Sequence, residues 1–239
     1  MSEITNVKAI VLESKNYKEK DKLLTLFTLE QGVIFAIIKS VKNMNAKLSM
    51  AKEIFCFGDF TLTQKGQFNI VTSVNVLETF FDITKDFDRY NLGCQVLNIN
   101  KTICNQNESN KLLFIETLKC LKHLTYDNSI NPKYIFLKFL IKIFNLSGYS
   151  FNYEKCNSCG GHFINKYFDY TRGEIVCNHC KTMNCVEVDN ATLSAIKILG
   201  SYEYEKLSNI KLAKDSENKA LKILCNNFEN KFDRKIIIN

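Results

Sequence analysis

The chain has 239 residues, 46% hydrophobic and 24% charged, with a net charge of +7. That is enough length for one large or two to three small domains with real cores, and the composition excludes fibrous and disordered classes. The polar start shows no cleavable leader, and the longest apolar segment, residues 134–146, is too short to cross a membrane and carries Lys138 and Lys142, so a cytoplasmic protein with no membrane partner is expected.

The first eighty residues read as β. Residues 7–12 are an extended apolar run, and residues 23–29 are rich in Leu, Thr and Phe. Gln31 and Gly32 turn the chain into residues 33–38; residues 54–63, a turn at Lys65 and Gly66, and residues 68–76 follow. Five short strands with turn signals between them predict a small closed or nearly closed barrel. Phe35, Phe55, Phe57, Phe60 and Phe68 supply its aromatics, most of them core at strand spacing, with one or two reaching the surface.

From Phe81 the period changes. Leu92, Val96 and Ile99 are spaced for one helix, and Leu112, Ile115, Leu118 and Leu121 for a second. Asn131 followed by Pro132 reads as a helix start, and that helix should end near Gly148 and run through the middle of a helical domain. Asp189 and Asn190 start another helix with Leu193, Ile196 and Leu199 inward; a last one carries Leu221, Leu224 and Phe228. The expected domains are residues 1–80, a helical domain of 81–150 and 189–239, and an insert at 151–188.

That insert holds the sharpest chemical signal. Cys156-x-x-Cys159 and Cys177-x-x-Cys180 are separated by seventeen residues, the spacing of two knuckles that face each other across one zinc ion. Gly160 and Gly161 follow the first pair, where a knuckle must reverse. Four thiolates leave no open position on the metal, which makes the expected role structural. His179 and Cys185 stand close enough in sequence to be substitute ligands. Cys56, Cys94, Cys104, Cys120 and Cys225 are scattered at apolar positions and read as small core residues in a reducing compartment.

The order of elements and several local motifs resemble the RecO family of bacterial recombination mediators. The motifs are residues 8–12, Lys-Ala-Ile-Val-Leu, and residues 17–28, Tyr-Lys-Glu-Lys-Asp-Lys-Leu-Leu-Thr-Leu-Phe-Thr. Gly32, then Ile37 and Ile38, then a basic loop with Lys39, Lys42 and Lys47 follow in the same order, and residues 139–149 lead to the first cysteine pair as in the family. Ser150 and Phe151 stand where the family usually has a proline shortly after Gly-Tyr, and lysines replace the arginines of many members, keeping the charge without the bidentate fork.

The resemblance implies an OB-fold domain that binds single- and double-stranded DNA, followed by a helical domain with an inserted four-cysteine zinc module, an α+β protein. It implies strand annealing, and cooperation with a RecR-type partner in loading recombinase onto strands coated with single-strand-binding protein. Lys39, Lys42 and Lys47 are then phosphate contacts, the alternative being a solvated loop. Lys138, Phe139 and Lys142 are then the seat of an acidic, aromatic-ended tail of single-strand-binding protein, the alternative being lysines that snorkel to water.

An enzyme is not expected. No His-x-Glu accompanies the cysteines, as zinc deaminases require, and no Gly-rich dinucleotide fingerprint or βαβ alternation is present. A competing class is a zinc-ribbon module, transcription- or ribosome-associated, that binds protein and anneals no DNA.

Overall fold

The computed structural model describes residues 4–39, 49–66, 68–106 and 108–238. Five strands open the chain: β1 Ile4–Tyr17, β2 Asp21–Thr28, β3 Gly32–Ile38, β4 Phe57–Lys65 and β5 Phe68–Glu78. They close into a barrel of order β1-β2-β3-β5-β4, with β3 and β5 parallel and every other pair antiparallel. This is the strand order of an OB-like barrel.

Closure rests on β1, the longest strand. Its first half pairs with β4, from Ile4 opposite Thr63 to Ile10 opposite Phe57, and its second half pairs with β2, down to Tyr17 opposite Asp21. A register shift between Val11 and Glu13 marks the bulge that bends the strand from one neighbour to the other. Alternation then sorts the side chains. Val7, Ala9, Val11, Leu24, Leu26, Ile34, Ala36, Ile38, Phe60, Leu62 and Val71 fill the interior, with Ala51 and Cys56 packed among them.

β4 begins three residues later than expected. Phe55 sits at φ 71°, a backbone no strand can hold, and its ring packs edge-on to Tyr90 at 5.9 Å. A short 3-10 turn at Phe81–Lys85 leads into α1 Phe87–Ile103 and α2 Lys111–Tyr126. These helices cover part of the outside of the barrel. Phe114 of α2 meets Phe27 at 5.2 Å and Phe57 at 6.1 Å, and Lys101 of α1 pairs with Glu13 at 2.6 Å. Gly32 is fixed by the same packing: it has φ 68°, and a Cβ there would stand 2.2 Å from the carbonyl oxygen of Glu108. The turn residue read from the sequence is therefore also a contact residue.

The phase of α2 differs from the expected one. Leu112 and Ile115 are exposed, while Leu113, Phe114, Thr117, Cys120, Leu121 and Leu124 are buried. The period was legible, but two overlapping apolar stripes share this helix, and the one carrying the largest ring, Phe114, faces the barrel.

The barrel, α1 and α2 form one compact unit, Met1–Tyr126, and the second unit is Asp127–Asn239. In the second, α3 Pro132–Leu146 starts where expected: the Asn131 side chain accepts from the N–H of Lys133, and Pro132 occupies the first turn. It is buried at ten of its positions, including Ile135, Phe136, Leu137, Phe139 and Leu140. Three short strands follow, β6 Lys166–Asp169, β7 Glu174–Cys177 and β8 Cys185–Glu187, in the order β7-β6-β8. α4 Asn190–Ser201 and α5 Lys214–Phe232 complete the unit. Phe168, Ile175 and Val188 of the insert share a core with Leu193 of α4 and Ile223 of α5, so the insert is packed onto its helices.

No helix among the described residues is long and apolar enough to cross a membrane.

Candidate metal centre and nucleic-acid face

The sulfur atoms of Cys156, Cys159, Cys177 and Cys180 all lie within 4.8 Å of one another. Cys156 and Cys159 lie on the turn that precedes β6, Cys177 ends β7, and Cys180 follows one knuckle later. Gly160 supplies the reversal at φ 71°, with its N–H donating to the Cys156 carbonyl at 2.8 Å.

Distances decide what this cluster can hold. The Cys159 and Cys177 sulfurs are 3.8 Å apart, far beyond the roughly 2.05 Å of a disulfide. Four sulfurs on a tetrahedron with bonds of about 2.3 Å have edges of about 3.8 Å, so the cage fits one tetrahedral metal ion. The protein also prepares the charge. Burial pushes the Cys156 thiol up, but N–H groups of Cys159, Cys177 and Ser158 outweigh it and bring the pKa down to about 6. Cys180, whose thiol donates to the Cys159 sulfur, is held up at about 12. A cation binding here displaces the protons these thiols share.

His179 is exposed and stands outside the four-thiol group. Cys185 is spoken for locally, its sulfur accepting the N–H of Thr182 at 3.1 Å. Of the remaining cysteines, Cys56 and Cys120 are fully buried, and burial pushes Cys56, Cys104 and Cys225 up to about 12, which keeps these thiols protonated and inert.

Sequence reasoning missed the brace beside the thiol cage. Asp169 is buried and accepts from the N–H of Thr171 at 2.9 Å, the N–H of Arg172 at 3.2 Å and the hydroxyl of Thr182 at 3.4 Å. Arg172 in turn donates to the Ser158 hydroxyl at 2.6 Å. One carboxylate thus ties the β6–β7 turn to segments beside both knuckles. The available signal was Asp169 four residues before Gly173, an Asx-type turn.

Among the basic residues, Lys39 is exposed at the end of β3, whereas Lys42 and Lys47 lie outside the described residues. Of the barrel phenylalanines, Phe55 and Phe60 are core, Phe57 is half-buried, and Phe35 and Phe68 are exposed.

The helical trio does not form an open seat. Lys138 is 1% exposed and Phe139 fully buried, while Lys142 is half-buried. The Lys138 ammonium donates to the Tyr202 carbonyl and stands 5.1 Å from the centre of the Tyr204 ring. Tyr202 caps the C-terminus of α4, where carbonyls carry partial negative charge, so this lysine is held inside by a helix end and an aromatic face. It neither snorkels to water nor presents its charge to a peptide.

A closed barrel of OB-like order, followed by a helical unit bearing a four-thiol cage, defines the class of α+β protein. Two family profiles then divide the chain between them: "Recombination protein O N terminal" matches residues 1–80 and "Recombination protein O C terminal" matches residues 85–235. The chain belongs to the recombination protein O, or RecO, family. It is similar to the DNA repair protein RecO of Clostridium novyi, 26% identical over 92% of this chain and 86% of that one. It is also similar to the proteins of that name from Caldicellulosiruptor saccharolyticus, 27% identical over 88% of this chain and 86% of that one, and Clostridium perfringens, 24% identical over 95% and 92%.

Proposed function

We propose that this protein is a DNA-binding recombination mediator acting in recombinational repair in the cytoplasm, at the nucleoid. Its barrel binds single- and double-stranded DNA and anneals complementary strands. With a RecR-type partner it helps load recombinase onto strands coated with single-strand-binding protein, whose tail is a further contact; the protein carries no catalysis of its own. The observation that carries this reading is the pair of family matches falling in order on a closed barrel and on the helical unit with its thiol cage.

Physical chemistry supports the same assignment. A net charge of +7 favours a polyanionic partner, and an OB-like barrel offers loops and a strand face to a flexible strand. Lys39, Lys42 and Lys47 are the proposed phosphate contacts. Cys156, Cys159, Cys177 and Cys180 hold one zinc ion whose role is structural, since a full sulfur shell leaves no position for substrate.

Binding to short single strands should weaken steeply with salt and show little sequence preference, because each phosphate contact contributes about 0.7 to the salt slope. Replacing Lys39, Lys42 and Lys47 together with alanine should shallow that slope by about two units. Annealing of complementary strands, measured with and without single-strand-binding protein, tests the mediator role. A chain that neither binds oligonucleotides at low salt nor speeds annealing has another function, and a protein-binding zinc ribbon becomes the reading.

A further inference from the structure

The outer wall of the barrel is unevenly covered. Around β1 and β2, Phe27 and Phe57 are roofed by Phe114. At the seam between β3 and β5 two phenylalanines are left in water, Phe35 at 44% and Phe68 at 52% exposure. Ile34 and Ala36 point inward, so Phe35 between them points outward. β3 and β5 run parallel with Ala36 opposite Asn69, which sets Phe35 and Phe68, the preceding residues, side by side on the same outer face. The Asn69 side chain donates to the Phe35 carbonyl at 3.1 Å and ties the two strands at this level.

The surroundings specify a ligand. Neighbouring strands are about 4.8 Å apart, while successive nucleotides of a strand are about 3.4 Å apart when stacked and further when splayed, so two consecutive bases can each reach one ring. Phe35 faces Thr25 on β2 and Phe68 faces Lys65 on β4, and the next pair along the seam is Ala36 with Asn69, none of them acidic. Lys65, directly across from Phe68 at the β4–β5 hairpin, places a cation beside the rings where a phosphate would run. Paired rings next to a cation, with the nearest carboxylate on β1, Glu13 across from Thr25, already held by Lys101 and Lys15, match a single strand better than a peptide, because every base has a stackable face and every nucleotide a phosphate.

We propose that Phe35 and Phe68 form a two-base stacking platform for unpaired DNA, with Lys65 as its phosphate contact. This rests on the DNA-binding reading above and adds a site for bases, distinct from the lysines that grip phosphate.

The full chain contains no tryptophan, so an F35W variant carries a single tryptophan, at the platform, whose emission can be excited apart from that of the tyrosines. Titrated with oligothymidylate, it should be quenched in step with binding. Replacing both rings, F35A with F68A, should weaken binding of the same oligonucleotide by about tenfold per ring and leave the salt slope unchanged. F35L with F68L, which keeps apolar bulk and loses the flat face, should weaken it nearly as much. Tight binding by both double variants, or unchanged F35W emission at saturation, overturns the platform while leaving the lysine-dependent reading intact. Emission that responds to protein concentration without DNA makes this face a contact between copies and overturns it too. If the parent protein binds no oligonucleotide at low salt, the DNA reading fails and the platform falls with it.

Discussion

The barrel and the cysteine insert solve the same problem by different means. The barrel strands run 14, 8, 7, 9 and 11 residues, and closure pairs every strand on both sides around a continuous apolar interior. The insert has strands of 4, 4 and 3 residues in an open sheet. Of its buried apolar residues, Phe168, Ile175 and Val188 share a core with Leu193 of α4 and Ile223 of α5, while Val176 packs beside the cage with Cys156 and Cys177. A long strand stabilises itself through pairs and burial; one this short needs a cross-link, and here four thiols meet where a metal fits. Redundancy separates the two regions. Losing one barrel side chain leaves many others, whereas losing one ligand opens the cage.

The largest expected effect follows from that. Structural zinc is worth on the order of 10 kcal/mol in small modules. Chelation, or Cys177→Ser, should therefore abolish hydrogen-exchange protection across residues 151–188 and release one zinc per chain, with barrel amides still protected. Simultaneous loss of barrel protection would show that the two regions are one cooperative unit.

Next comes the reverse experiment. Phe60 is fully buried in the barrel, so Phe60→Ala should cost about 3–5 kcal/mol of barrel stability by calorimetry. Metal content should stay at one equivalent; a fall in bound zinc would break the contrast between the regions.

The smallest effect lies where the insert hands over to α4. Asp189 caps that helix, accepting the N–H of Thr192 at 2.7 Å, and pairs with Lys219 at 2.9 Å. These partners, the Lys219 bond foremost, lower its carboxyl pKa to about 2. A lowered folded-state pKa stabilises above the ordinary carboxylate range and loses that contribution as pH falls through the folded value. Asp189→Ala should cost about 0.5–2 kcal/mol at neutral pH. Most of that is the cap, since the exposed ion pair is screened. The gap in melting temperature between parent and variant should narrow from about pH 4 down to pH 2. A gap independent of pH would assign the loss to helix propensity rather than the carboxylate.

Local patterns carried far in this chain. Apolar runs and the turn signals between them placed all five barrel strands to within a few residues, because both are written locally. Asn131 with Pro132, and Asp189, marked helix starts because a cap needs only its own first turn. The thiol pairs were legible for the same reason, each knuckle being a short local structure. The reading of Lys138 and Phe139 failed differently. On an almost wholly apolar helix, spacing identifies neighbours on one face but not which element covers that face; here Tyr202 and Tyr204 do, more than sixty residues on in the sequence.

The sequence by itself determined the α+β order, the barrel strands and the two thiol pairs that could hold a metal, since each follows from spacing within a few residues. Tertiary structure decided which stripe of α2 turns inward, because only Phe27 and Phe57 could select the Phe114 side. It decided that Asp169 braces the cage, through a hydroxyl thirteen residues away. It also decided that Phe35 and Phe68 stand together in water, because they meet only through a parallel pairing of strands that are not consecutive, and no local pattern records that.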